Sequence, residues 1–107
     1  MSTKPKIHIL GTGGTIANIT GNYISAADFV PIDALLDLAP EEVTSHGELS
    51  LTEVTHLNSG ALTPEVWFDL HNEIMQRSSS NNPPAGFVIT HGSNTSEETA
   101  YFLNLVL

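Results

Sequence analysis

Ile7-His8-Ile9-Leu10-Gly11-Thr12-Gly13-Gly14-Thr15-Ile16-Ala17 is the stretch on which the fold turns. Ile7 to Leu10 is a short apolar, β-branched run, and Gly11-Thr12-Gly13-Gly14 is expected to stop it. The reading is a buried strand ending in a tight turn. Two later runs match it. Leu49 to Leu57 places Leu49, Leu51, Val54 and Leu57 between polar residues, with one slip in phase, and predicts a second strand. Phe87-Val88-Ile89-Thr90 predicts a third.

Helical signals separate the strands. Pro31 can open a short helix through Leu38, and Pro40 ends it. Thr63-Pro64-Glu65 is a helix start: an N-cap hydroxyl, proline at the first position, then an acid. Val66, Trp67, Leu70 and Ile74 form the apolar stripe that follows. Ser78 to Ala85 is a polar connector. Thr95 caps a last helix, with Glu98 as its capping-box partner and Glu97 in the first turn. Residues 15 to 30 have no clean period and are expected to form a long, mobile loop.

Strands alternating with helices predict a parallel sheet with helices on both faces. Right-handed crossovers and short connections favour strand order 2-1-3. Strands 1 and 3 are then neighbours, with a switch point at their carboxyl ends. Ligands of open α/β sheets bind in that crevice. Both glycine-bearing segments, Gly11 to Ala17 and His91 to Thr95, begin there.

Composition narrows the partners. The 107 residues hold 12 acidic against 3 basic side chains, a formal net charge of −9. Phosphate binding needs Lys and Arg, so nucleic acid is a poor partner, and anionic membrane surfaces are disfavoured for the same reason. With no cysteine, disulfides and thiolate metal sites are excluded. The histidines show no paired ligand spacing, so no metal is expected. The start lacks an apolar signal core, which gives a cytoplasmic expectation.

The glycine loop fails both common phosphate-binding patterns. The third place of G-x-G-x-x-G is Ile16, and no lysine follows for a P-loop. Its N–H groups can still form an oxyanion nest. Thr12 and Thr15 are hydroxyls on this loop. Either could be an acyl-transfer nucleophile, and either could be a cap or turn residue. His91-Gly92-Ser93 is no nucleophile elbow. A ring hydrogen-bonded at the strand end is the better reading of His91.

Gly11-Thr12-Gly13-Gly14-Thr15-Ile16-Ala17 resembles the first signature of the asparaginase/glutaminase family. Thr90-His91-Gly92-Ser93-Asn94-Thr95, followed by Glu97-Glu98-Thr99-Ala100-Tyr101-Phe102-Leu103, resembles the second. The resemblance implies a three-layer α/β/α, flavodoxin-like fold, present only in part: residues 1–107 correspond to part of the N-terminal domain, without the smaller C-terminal domain. It implies L-asparaginase-type hydrolysis of L-asparagine in a homo-oligomeric enzyme, with no cofactor or metal. By position, Thr15 resembles the nucleophile and Tyr23 the tyrosine that helps activate it. Ser59 falls where a serine holds the substrate α-carboxylate, and Gly60 where many members have a polar side chain for the same end. Ser93 stands in place of a second catalytic threonine, and Asn94 in place of an aspartate that binds the substrate ammonium. The resemblance also calls for a lysine from a later segment, and this chain has none beyond Lys6. The rival expectation is a catalytically inactive remnant that binds an amino acid or associates with full-length subunits.

Overall fold

In a computed structural model of the chain, residues 4–17, 30–57 and 62–107 are described. Strand β1 runs Lys6–Gly13, β2 Glu48–Leu57 and β3 Gly86–Thr90. The helices are α1 Ile32–Asp37, α2 Glu41–Thr44, α3 Pro64–Ser78 and α4 Ser96–Val106. The sheet order is β2-β1-β3, all parallel, as the crossover rules require.

The alternation of β1 sorts the two faces. Leu10 packs with Val66, Leu70 and Ile74 of α3, Leu103 of α4, and Phe87 and Ile89 of β3. Ile7 and Ile9 face the other way, with Leu49, Val88 and the α1–α2 residues Leu36, Ala39 and Val43. Helices therefore lie on both faces and the architecture is three-layer. Each fully buried aliphatic side chain such as Leu10 or Leu70 contributes about 1.5–3 kcal/mol.

Several local readings needed correction. The glycines do not end β1. It continues through Gly13, because Gly11 remains paired with Glu53 of β2 and Thr90 of β3. The register with β2 then slips between Gly11 and Gly13, and Gly13 pairs with Leu57. The change of phase between Leu51 and Val54 lies before that irregularity, where the register is still regular, and moves the apolar side chains from one covered face to the other. Pro31 is the N-cap of α1, outside the helix. Helix α1 stops at its C-cap Leu38, two residues before Pro40, and Pro40 is also the N-cap of a second short helix, α2, which the sequence reading missed.

The caps at Thr63 and Thr95 stand where expected, but neither side chain makes a cap hydrogen bond. The Glu65 carboxyl is held below the usual carboxylate range by its own backbone N–H, and next by the Thr63 hydroxyl. The apolar stripe of α3 is buried at Val66, Leu70 and Ile74. Trp67 instead lies half-buried, stacked on Phe102 with ring centroids 5.2 Å apart. Of the expected long loop, Thr15–Ala17 is a 3-10 turn, and residues 18–29 lie outside the described residues.

His8 is the largest polar side chain buried in β1. Its Nδ1 meets Ser50 Oγ, and its Nε2 meets Thr52 Oγ1 at 2.8 Å. Thr52 Oγ1 also accepts from Arg77 Nη2 at 3.1 Å, and Arg77 Nε donates to Glu73 at 2.9 Å. Phe87 of β3 closes the ring's remaining side edge-on. A neutral imidazole, donating at one nitrogen and accepting at the other, suits two hydroxyl partners. Burial lowers the His8 pKa, the Arg77 cation lowers it further, and Glu73 opposes them.

The sign of the linkage follows. An unfolded histidine takes its proton near pH 6.5, before the folded one does. The stability tied to neutral His8 is complete above that pH and is lost as pH falls through it toward the lower folded value. We expect urea unfolding midpoints to drop between pH 7.5 and 5.5, and to drop less in His8→Gln. Equal pH slopes in the two proteins would show that His8 does not carry the effect.

Candidate functional site

The site is built where β1 and β3 end side by side. Gly11 pairs with Thr90, so the segments that follow leave the sheet as neighbours. Gly13 and Gly14 then take φ of 83° and 84°, a region closed to most side chains. This bend feeds the 3-10 turn Thr15–Ala17, closed by the Ala17 N–H on the Gly14 carbonyl at 3.0 Å. Val30 N–H returns to the Ala17 carbonyl at 2.8 Å, which ties the far end of the 15–30 segment to the same place.

The two glycine loops touch through bare backbone. A Cβ on Gly14 would lie 2.6 Å from the Gly92 nitrogen and 2.7 Å from its Cα. Only glycine at position 14 permits that approach. Gly11 is as tightly placed, because a Cβ there would lie 2.8 Å from Ile32 Cβ and 3.1 Å from Glu53 Oε2. Glu53 is a site-framing residue that the sequence reading missed. Its Oε2 accepts the Ile32 N–H at 2.7 Å and so satisfies the α1 terminus that Pro31 cannot cap. No local pattern signals this, since the carboxylate arrives from β2.

The loop hydroxyls part company. Thr12 is buried and donates to the Thr90 carbonyl at 2.7 Å, joining β1 to β3 where the strands end. Its proton is committed to structure, and Thr15 is the loop's other hydroxyl-bearing residue. The backbone of Thr15 opens the 3-10 turn directly after Gly14. Ser93 and Asn94 are exposed in the turn between His91 and α4. The Gly14–Gly92 contact therefore brings the segments bearing Thr15 and Ser93-Asn94 together. Tyr23, Ser59 and Gly60 lie outside the described residues.

His91 is hydrogen-bonded at the strand end, as its structural reading held. Its Nδ1 meets the Gly92 carbonyl at 2.6 Å and its Nε2 meets Thr99 Oγ1 at 2.8 Å. Trp67 Nε1 donates to the same Thr99 oxygen at 2.8 Å. Thr99 was visible in the second signature, but nothing in the sequence joined it to Trp67.

Residues 6–107 match the family model of the asparaginase N-terminal domain. The chain belongs to the asparaginase family. The probable periplasmic L-asparaginase of Haemophilus influenzae is 37% identical, with 96% of this chain covered and 29% of that protein. The glutaminase-asparaginase of Acinetobacter glutaminasificans is 34% identical, covering 97% of this chain and 32% of its own length. The crystal structure of a probable cytoplasmic L-asparaginase from Campylobacter jejuni superposes with a TM-score of 0.77 at 35% identity. It covers 94% of this chain and 28% of that one. The chain thus spans about three tenths of the length of the relatives it matches.

The glycine contact yields a direct test. Gly14→Ala forces a Cβ into the left-handed region and against the Gly92 backbone, and should cost at least about 1–2 kcal/mol. Gly86, whose Cβ would meet nothing within 4 Å, is the control. Gly86→Ala should be neutral or slightly stabilising, within about 0.5 kcal/mol. Chemical denaturation of both variants measures this, and equal losses would mean the loop contact does not constrain position 14.

Proposed function

We propose that this chain carries the nucleophile-bearing part of an L-asparaginase-type amidohydrolase site. Thr15 is the nucleophile and Tyr23 assists it. The Thr15 hydroxyl loses its proton as its oxygen attacks the side-chain amide carbon of L-asparagine. Backbone N–H groups of the glycine loop hold the oxyanion. Ammonia leaves with the transferred proton, and water then cleaves the acyl ester to release aspartate and restore the threonine. Ser59 and Gly60 serve the α-carboxylate end of the substrate, Asn94 serves its ammonium end, and Ser93 takes the place of a second catalytic hydroxyl. No metal or cofactor enters the scheme. Homo-oligomeric assembly, a cytoplasmic location and a small-molecule rather than nucleic-acid or membrane partner belong to the same proposal.

The observation that carries this reading is the contact of the two glycine loops at Gly14 and Gly92, in a chain whose family shares both segments. The experiment replaces the matching segment of the Campylobacter jejuni protein with residues 6–107. That protein then supplies the lysine that this chain lacks. Ammonia release from asparagine should be measurable in the chimaera, and Thr15→Ala should lower it by several orders of magnitude. Turnover that survives Thr15→Ala removes Thr15 from the mechanism.

Asn94 favours a second reading, amino-acid binding with poor turnover. A neutral oxygen faces the ammonium where a charge would serve better. Hydrogen bonds to charged groups contribute about 1.5–3 kcal/mol against about 1 for neutral ones. The chimaera should therefore bind asparagine roughly tenfold more weakly than its parent. Asn94→Asp should restore affinity, while Ser93→Thr acts mainly on turnover by stiffening the hydroxyl's rotamer. Titration calorimetry reads the first effect and steady-state kinetics the second. Parental affinity in the unmodified chimaera would make the Asn94 difference neutral.

A further inference from the structure

We infer that Trp67, Thr99 and His91 form a positioning relay, centred on a buried hydroxyl, that sets the Gly92–Ser93 peptide. The inference rests on the proposed role of Ser93 and Asn94 for its functional meaning, but not for its geometry.

The proton assignments follow from which groups can only give and which can only take. A carbonyl oxygen only accepts, so the contact of His91 Nδ1 with the Gly92 oxygen at 2.6 Å requires a proton on Nδ1. A neutral ring then has a bare Nε2, which needs a donor. The group 2.8 Å from it is the Thr99 hydroxyl. An indole N–H only donates, so Trp67 Nε1, 2.8 Å from Thr99 Oγ1, takes one of that oxygen's lone pairs. The chain of donation is therefore Trp67 to Thr99 to His91 to the Gly92 carbonyl.

Each member is held from behind. Thr99 is buried, 3% exposed, so its bonds are shielded from competing water. Trp67 is stacked between-plane on Phe102 at 19°, and Phe68 meets the same Phe102 ring edge-on at 5.7 Å. The relay thus links α3 and α4 to the end of β3. Its output is a peptide plane. Gly92 C=O and Ser93 N–H belong to one trans peptide and point in opposite directions. Fixing the carbonyl on His91 fixes the Ser93 N–H, and with it the backbone from which Ser93 and Asn94 extend. The other side of Gly92 is pinned by Gly14. His91, Thr99 and Trp67 are positioning residues, acting on the substrate-side turn through Gly92.

The test uses the 107-residue chain labelled with nitrogen-15 and read by NMR at pH 8, above the ordinary histidine value of about 6.5. Histidine in water favours the Nε2–H form. The relay requires His91 to be in the Nδ1–H form. Thr99→Val removes the hydroxyl at nearly constant shape. It should shift His91 toward Nε2–H and speed amide exchange at Ser93 and Asn94 on the order of tenfold, the loss expected for one hydrogen bond of ordinary net strength. Thr99→Ser should restore both. Trp67→Phe keeps an aromatic ring against Phe102 and removes only the donor. It should leave the tautomer in place and raise exchange less. An Nε2–H ring in the unmodified chain overturns the relay, and that reading stands even where Thr99→Val fails to fold. An unchanged tautomer and unchanged exchange in a folded Thr99→Val also overturn it, as does failure of Thr99→Ser to restore them. Asparagine turnover does not enter these measurements, so the proposed function can fail while the relay holds, and the reverse.

Discussion

β1 lies between two parallel partners, so each of its side chains must find a place on a covered face. This constraint shapes the rest of the molecule. Leu10 forms the core beneath α3 and α4, while Ile7 and Ile9 take the α1–α2 side. His8, on the same face as Leu10, can be accommodated only because β2 presents hydroxyls at Ser50 and Thr52. Among the described residues no buried side-chain nitrogen or oxygen lacks a hydrogen-bond partner. A buried polar group left unpaired would cost about 1–3 kcal/mol.

The same central strand makes the candidate site. Because β1 and β3 run parallel and in register, their following segments emerge together. Two glycines let these segments meet backbone to backbone, and Thr12 ties the strand ends beneath them. The chemistry proposed for Thr15 and for Ser93-Asn94 comes from residues far apart in the chain, and the strand order with the Gly14–Gly92 contact brings their segments together. Glu53 adds a third element by fixing the start of α1 against Gly11.

Two histidines illustrate how burial sets the use of one residue type. His8 is enclosed by hydroxyls and a guanidinium and serves the sheet. His91 is held between a hydroxyl and a carbonyl and serves a turn. Neither is spaced like a metal ligand or paired with a nucleophile, and composition alone could not separate their roles.

The sequence by itself determined the three strands, the long helices α3 and α4, the order 2-1-3 and the two glycine signatures. Hydrophobic period, proline and threonine at helix starts, and the handedness of crossovers are local or general rules, and each could be read without a partner. It misjudged where β1 ends, missed α2, and could not show that the Thr12 hydroxyl is committed to the Thr90 carbonyl. Tertiary structure decided those points. Thr12 meets a carbonyl 78 residues away, Trp67 a hydroxyl 32 away, and the Ile32 N–H a carboxylate 21 away. A period or cap signal spans a turn or two of chain, whereas these bonds exist only once the parallel sheet has brought distant segments to the same end.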